Sequence, residues 1–260
     1  MKLNNNQTQS QTPSTTSSLT PILLRLFTFS LFLSLPLLLL FSLQTTPTPK
    51  TPTTTTTKTT RNNPGIRIRP GYPTYQSYIQ KQLNKTLNPK LRHLWTTRDW
   101  DRKISVFKTF FHRLQSSSIL SNSSKSLCIG ARVGQEVEAL RRIGVSDSIG
   151  IDLVPCPPLV MHGDFHRQPF SDNTFDFEFS NVFDHALFPD KFVSEIERTL
   201  KPGGFCVLHV ALSTRSDKYS ANDLLGVDPL VKLFRNSELV RVKKVDGFGL
   251  DTELIFRKKQ

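Results

Sequence analysis

Two glycines and an aspartate in the middle of the chain have the spacing of a site for a nucleotide-like ligand. Gly130 and Gly134 bound the turn GARVG, which follows a short apolar run, and glycine lets a ligand approach the backbone closely. Asp152 lies in a second apolar run, where a carboxylate can accept hydrogen bonds from both hydroxyls of a ribose. The turn lacks the G-x-G-x-x-G spacing of a dinucleotide site, and an aspartate at a strand end also fits a simple turn residue. Both interpretations stay open at this point.

Two longer segments downstream have a more specific order of turn residues. Asp164 lies in a Gly-Asp turn of HGDFHRQPFSDNTFDFEFSNVFDH (162–185), which continues into a predicted strand. The segment EIERTLKPGGFCVLHV (195–210) predicts a helix that ends at Lys201, a Pro-Gly-Gly turn and then a strand.

The residues around these segments alternate between strand and helix patterns. Apolar positions 104, 107, 111 and 114 recur at helical spacing and predict an amphipathic helix over 101–115. The alternation predicts a doubly wound α/β sheet, which binds its ligands at the carboxyl ends of the strands. The other predicted elements are strands at 126–130, 148–154, 175–180 and 205–212, helices at 135–144, 190–200 and about 222–236, and a terminal hairpin through Asp246, Gly247 and Gly249.

The two downstream segments carry a resemblance to a known family. The patterns GD-x4-PFxDxxFDxxxS and ExxRxLKPGG resemble the class I S-adenosylmethionine-dependent methyltransferases, specifically the type 11 methyltransferase domain, over roughly residues 126–212. The resemblance implies a mostly parallel, Rossmann-like sheet of seven strands with a terminal antiparallel hairpin, and S-adenosylmethionine as the cofactor. The N-terminal region is similar to that of membrane-anchored plant members of the superfamily.

The resemblance also implies which residues hold the adenosyl part of the cofactor. Asp152 would bind the ribose hydroxyls. Asp164, with Phe165 beside it, would meet the adenine amino group and ring.

Other positions would face the amino-acid part and the reactive methyl group. Gly130 and Gly134 would let the loop pass close to the amino-acid part, while Ser180 and Asn181 would lie near the methyl group. His185 falls where many members have histidine and is a weak candidate for a general base, although a helix-cap or packing role is the commoner explanation.

Two positions depart from the family pattern. The family usually has an acidic residue where this chain has Cys128, and glycine where it has Arg132. The acid normally helps to hold the amino group of the cofactor, and Arg132 places positive charge near a cationic ligand. The alternative function is therefore a non-catalytic interaction module of the same fold that has lost or weakened cofactor binding.

The charges are unevenly distributed along the chain. The chain has 34 Lys and Arg residues and 21 Asp and Glu residues, and its first acidic residue is Asp99. The excess of positive charge therefore lies in the N-terminal third, and the nearly neutral remainder gives no basis for nucleic-acid binding. Cys128, Cys156 and Cys206 form no CxxC or Cys/His group, so no metal site is expected.

The N-terminal third predicts an attachment to a membrane. Residues 26–43 are eighteen consecutive uncharged residues, enough to span a thin bilayer as a helix. We predict a disordered tail (1–20), a transmembrane signal anchor (21–43), a Thr/Pro-rich stalk (44–65), a helical lead-in or lid (66–118) and the methyltransferase-like domain (119–260). Endoplasmic reticulum or Golgi membrane is the expected location. A cleaved signal peptide and an organelle transit peptide are the alternatives; the methyl acceptor, the orientation and the oligomeric state are left open.

Overall fold

The strands of the protein form one large sheet and one small one. The computed structural model describes residues 65–212 and 217–260, which belong to one compact unit. The strands in chain order are β1 (Ile66–Ile68), β2 (Ser126–Ile129), β3 (Ser148–Asp152), β4 (Val160–His162), β5 (Phe175–Ser180), β6 (Leu200–Val210), β7 (Asn222–Leu224), β8 (Ser237–Gly247) and β9 (Leu250–Lys258).

The large sheet has seven strands in the order β4-β3-β2-β5-β6-β9-β8. The first five are parallel, β9 runs antiparallel to β6, and β8 runs antiparallel to β9. The prediction of a mostly parallel seven-stranded sheet with a terminal antiparallel hairpin is thus confirmed. The hairpin turn contains Phe248 and Gly249, both with positive φ, as tight two-residue turns require.

Helices cover both faces of this sheet. The predicted amphipathic helix is present as α3 (Trp100–Ser116), and its four apolar residues at helical spacing are almost completely buried. Helices α3 and α4 (Gln135–Arg142) pack over Phe177 and Phe179, while α5 (Pro189–Thr199) packs over Leu127 and Phe175 on the other face. The helices are α1 (Tyr75–Thr86), α2 (Pro89–Thr96), α3 (Trp100–Ser116), α4 (Gln135–Arg142), α5 (Pro189–Thr199) and α6 (Val227–Val231).

The strand order reverses between β2 and β5. From β2 the chain moves outward through α4 to β3 and β4, and it then returns to β5 on the other side of β2. The loops at the carboxyl ends of β2 and β5 therefore diverge, which opens the crevice where sheets of this class bind their ligands.

Two predicted elements differ from the structure. The helix expected at about 222–236 is wrong: β7 pairs antiparallel with β1, and only Val227–Val231 is helical. The amide of Asn222 is buried and donates to the carbonyls of Phe183 and Ala186 (both 2.8 Å), so distant residues hold this segment extended.

The Pro-Gly-Gly segment also differs from its prediction as a turn before the strand. It is part of β6, which begins at Leu200. Leu200 pairs with Phe175 and Phe205 with Phe177, so the intervening residues form a bulge in the strand. The sequence pattern does not predict the short strand β4.

No helix formed by residues 65–212 and 217–260 has the length and apolarity needed to span a bilayer. The predicted tail (1–20), membrane anchor (21–43) and stalk (44–65, apart from Gly65) lie outside the described residues.

Candidate active site

The loop after β2 turns sharply across the carboxyl end of β3. The backbone N–H groups of Gly130 and Ala131 both donate to the carbonyl of Ile151 (2.9 and 3.0 Å). Gly130 and Gly134 have φ of +72° and +89°, a region that favours glycine. A Cβ atom at Gly130 would lie 2.4 Å from Val182. The fold itself therefore requires glycine here, whether or not a ligand approaches.

Asp152 fixes this loop at the end of β3. Its Oδ2 accepts from the backbone N–H of Arg132 (3.0 Å), and its Oδ1 accepts from the N–H of Val154 (3.2 Å). Burial raises the pKa of Asp152, although the two N–H groups partly offset that effect. Each carboxylate oxygen has a second lone pair, so Asp152 can hold the loop and still accept from a ribose diol.

Asp164 and Phe165 lie beyond β4, beneath helix α1. The hydroxyl of Tyr75 donates to Asp164 Oδ2, and the N–H of His166 donates to Oδ1 (2.9 Å). The ring of Phe165 packs edge-on against Phe192, with centroids 5.2 Å apart. Both predicted adenine-binding residues thus lie near the carboxyl end of the sheet, where Asp164 is bonded to α1.

Ser180 and Asn181 end β5 and have different surroundings. Ser180 is 1% exposed, and its hydroxyl donates to the carbonyl of Ile129 (3.1 Å), so it joins β2 and β5. The amide of Asn181 instead donates to Glu136 Oε1 (3.1 Å). Asn181 therefore borders the crevice, whereas Ser180 is packed within the sheet.

Glu136 is a buried acid that the sequence pattern does not single out. It lies in the first turn of α4, is 2% exposed, and its Oε2 has no hydrogen-bond partner. Burial raises its pKa, against the opposing charges of Arg132 and Lys103. The signal in the sequence was an acid two residues after Gly134, but acids are common in the first turn of a helix.

Two cations lie on the same side of the crevice. The guanidinium of Arg132 lies 5.1 Å from the ring centroid of Trp95, a residue of α2 that is 6% exposed. Arg132 has a φ of +50°, which costs a residue with a side chain about 1–2 kcal/mol. Burial and, to a smaller extent, the charge of Arg132 lower the pKa of Lys103 to about 8.

His185 is held by α1 and by the segment before β7. Its Nδ1–H lies within donating distance of Gln82 Oε1 (3.0 Å) and the carbonyl of Tyr219 (3.2 Å), and its Nε2 accepts from Lys85 (3.2 Å). Burial lowers the pKa of His185, consistent with this neutral tautomer. Because both ring nitrogens have partners, a role as base would require Lys85 to leave Nε2.

Comparisons with known proteins agree with this architecture. Residues 127–208 match the model of a family described as a methyltransferase domain. A methyltransferase of Burkholderia thailandensis that acts on 1,6-didemethyltoxoflavin, solved with S-adenosylhomocysteine bound, is 15% identical; the match covers 75% of this chain and 94% of that one, with a TM-score of 0.57. The cyclase SpnF is 16% identical over 74% of this chain and 98% of its own, with a TM-score of 0.52. No curated protein matches the sequence significantly.

The order of the seven strands and the loop after β2 agree with the match of residues 127–208 to a methyltransferase domain.

Proposed function

We propose that this domain binds S-adenosylmethionine at the carboxyl ends of β2, β3 and β5 and transfers its methyl group to an acceptor. Asp152 is the observation that carries the proposal, because it is buried at the end of β3 and bonded to the glycine loop. Its remaining lone pairs suit a ribose diol, and the unpartnered oxygen of Glu136 suits a positively charged ligand. Both observations fit the groups of this cofactor.

The chain has to supply alignment and a dry site rather than an acid–base pair, because the sulfonium methyl group of the cofactor is already activated. Asp152 would orient the ribose, and Asp164 with Phe165 would contact the adenine. Helix α1 lies over Asp164 through Tyr75 and would exclude water from this side.

The test is calorimetric titration of the full chain with S-adenosylhomocysteine. We expect Asp152→Ala to weaken binding at least tenfold, because a charge-assisted hydrogen bond contributes about 1.5–3 kcal/mol. The control is Asp147→Ala, an exposed position just before the opposite end of the same strand, which should leave the affinity unchanged. A wild-type protein that binds nothing at millimolar ligand would overturn the proposal and favour the interaction-module alternative.

The second part of the proposal concerns attachment to a membrane. The uncharged run at 26–43 supports a single-pass anchor within 21–43, and its short apolar length favours the endoplasmic reticulum or Golgi. The full chain should stay in the membrane pellet after carbonate extraction, and deletion of 21–43 should release it. The N-glycosylation sequons NKT at Asn84 and NSS at Asn122 lie at exposed positions of the domain. An added mass at these sites that a glycosidase removes would identify a lumenal domain.

A further inference from the structure

Glu136 has a buried carboxylate oxygen without a protein partner. The residue is 2% exposed, Asn181 donates to its Oε1, and its Oε2 has no hydrogen bond. A buried charge without a partner is costly, and the structure therefore contains an acceptor for a donor that the protein does not provide.

The neighbouring cations do not supply that donor. Arg132 and Lys103 act on the Glu136 carboxylate through space, without bonding Oε2. Arg132 is directed to Trp95, and Lys103 lies over the ring of Phe248 (5.2 Å from its centroid). Their charges oppose the effect of burial, which raises the pKa of Glu136, but neither cation bonds Oε2.

Glu138, on the same helix, shows what an ordinary acid of this turn does. Its carboxylate is partly exposed and accepts from Arg142 one turn later (2.7 Å). The helix N-terminus is favourable for both acids, so helix electrostatics alone do not explain why Glu136 is buried. The difference is that Glu136 faces Cys128 and Asn181.

That position is at the reversal of the strand order. Cys128 belongs to β2 and Asn181 follows the neighbouring strand β5, so the Glu136 carboxylate lies over these two strands near their carboxyl ends. Cys128 is also the position at which the resemblance leads one to expect an acid. A carboxylate is thus present close to that position, contributed by α4 instead of β2.

We propose that Glu136 binds the α-ammonium group of the S-adenosylmethionine amino-acid moiety and so replaces the acid missing at Cys128. Asn181 is a positioning residue that holds Oε1 and leaves Oε2 without a protein donor. The inference rests on the proposed function, since it assigns a group of the same cofactor.

The experiment is a binding cycle by calorimetry, with two proteins and two ligands. Wild type and Glu136→Gln are each titrated with S-adenosylhomocysteine and with its analogue that lacks the α-amino group. A lost charge-assisted hydrogen bond corresponds to roughly 10- to 150-fold in affinity. We expect E136Q to lose at least tenfold for S-adenosylhomocysteine and less than twofold for the deamino analogue. The control, Glu138→Gln, should change neither affinity.

The outcomes separate this inference from the proposed function. Wild type that binds neither ligand would overturn the proposed function and this inference with it. Wild type that binds both ligands equally, or E136Q that weakens both equally, would overturn the inference alone. If Glu136 were structural, E136Q would melt well below wild type; we expect it to melt no lower, because the substitution removes a buried charge. If E136Q does not fold, the wild-type protein tests the inference by itself: it should bind S-adenosylhomocysteine more tightly than the deamino analogue, and equal affinities would overturn the inference.

Discussion

Three buried carboxylates of the domain, two in the sheet and one in α4, have different hydrogen-bond partners. Asp152 has backbone donors on both oxygens, Glu136 has a donor on one, and Glu178 in β5 is completely buried with Thr199 donating to Oε1 (2.7 Å). Because an acid with fewer donors is harder to ionise, each has a different effect on stability. Only those near the strand ends can also meet a ligand.

Glu178 should make the stability of the domain depend on pH. Burial raises its pKa to about 8, above the ordinary value of 4.5 that it has in the unfolded chain. Its contribution to stability is therefore complete below about pH 4.5 and is lost as the pH rises towards 8. We expect Glu178→Gln to unfold at a higher urea concentration than wild type at pH 8. Its free energy of unfolding should be higher by a few kcal/mol, because one pKa unit corresponds to about 1.4 kcal/mol.

The advantage of E178Q should vanish near pH 5, where the wild-type acid is protonated. Glu238→Gln, at an exposed position of β8, serves as the control and should show no such trend. A constant difference at all pH values would contradict the assignment.

Gly134 combines backbone strain with tight packing. Its φ is +89°, and a Cβ atom there would lie 2.6 Å from Leu159 Cβ. Gly71 has a φ of +100° with nothing within 4 Å of the same atom. Gly71→Ala should therefore cost only the backbone strain of about 1–2 kcal/mol, and Gly134→Ala should cost at least 1 kcal/mol more by chemical denaturation. Equal losses would mean that Leu159 moves aside freely.

At the scale of elements, polar groups on one face of α1 bond the segments that follow β4 and β5 and the segment that precedes β7. Four polar side chains recur at helical spacing on α1. Tyr75 bonds Asp164, and Tyr78 bonds the His185 carbonyl. Gln82 bonds the Tyr219 carbonyl, and Lys85 bonds Asp217. The helix starts with a capping box formed by Thr74 and Ser77. Helix α1 is held by these hydrogen bonds, each of modest net energy, and by the apolar cluster of Tyr78, Leu187 and Ala221. We expect α1 to open locally while the sheet stays folded.

Tyr78→Phe tests this attachment. Tyr78 is 1% exposed, and its hydroxyl donates to the His185 carbonyl at 2.9 Å. Losing that bond should cost about 1 kcal/mol and raise amide hydrogen exchange in α1 roughly fivefold. Exchange in β2 and β5 should not change. An equal increase throughout the domain would show that α1 does not open separately.

At the scale of the whole domain, one buried acid connects the antiparallel half of the sheet to α3. Glu253 in β9 is fully buried and contacts Arg113 of α3, His209 of β6 (3.1 Å) and Arg241 of β8 (3.9 Å). Burial opposes ionisation of Glu253, but His209 and the arginines outweigh it and lower its pKa. The network therefore depends on a charge that Glu178 does not carry.

Glu253→Gln should have the opposite pH dependence from E178Q. A lowered pKa in the folded state gives stability above the unfolded pKa of 4.5, and that stability is lost as the pH falls. We expect E253Q to cost about 3–5 kcal/mol at pH 7, because the cations lose their partner, with the loss shrinking below pH 4.5 in urea titrations. A loss that grows on acidification would refute this account of the network.

The sequence by itself determined the parallel sheet, the glycine loop and the position of Asp152, because these depend on short apolar runs and on turn residues that follow them directly. The tertiary structure alone decided the pairing of β1 with β7, the partners of His185 and the burial of Glu136. The helical spacing places Glu136 on the face of Leu140 and Ile143 and Glu138 on the face of Arg142. Only the packing of α4 shows that the Glu136 carboxylate is buried against Asn181. Contacts between residues far apart in the chain set burial, and burial gives a carboxylate its chemistry.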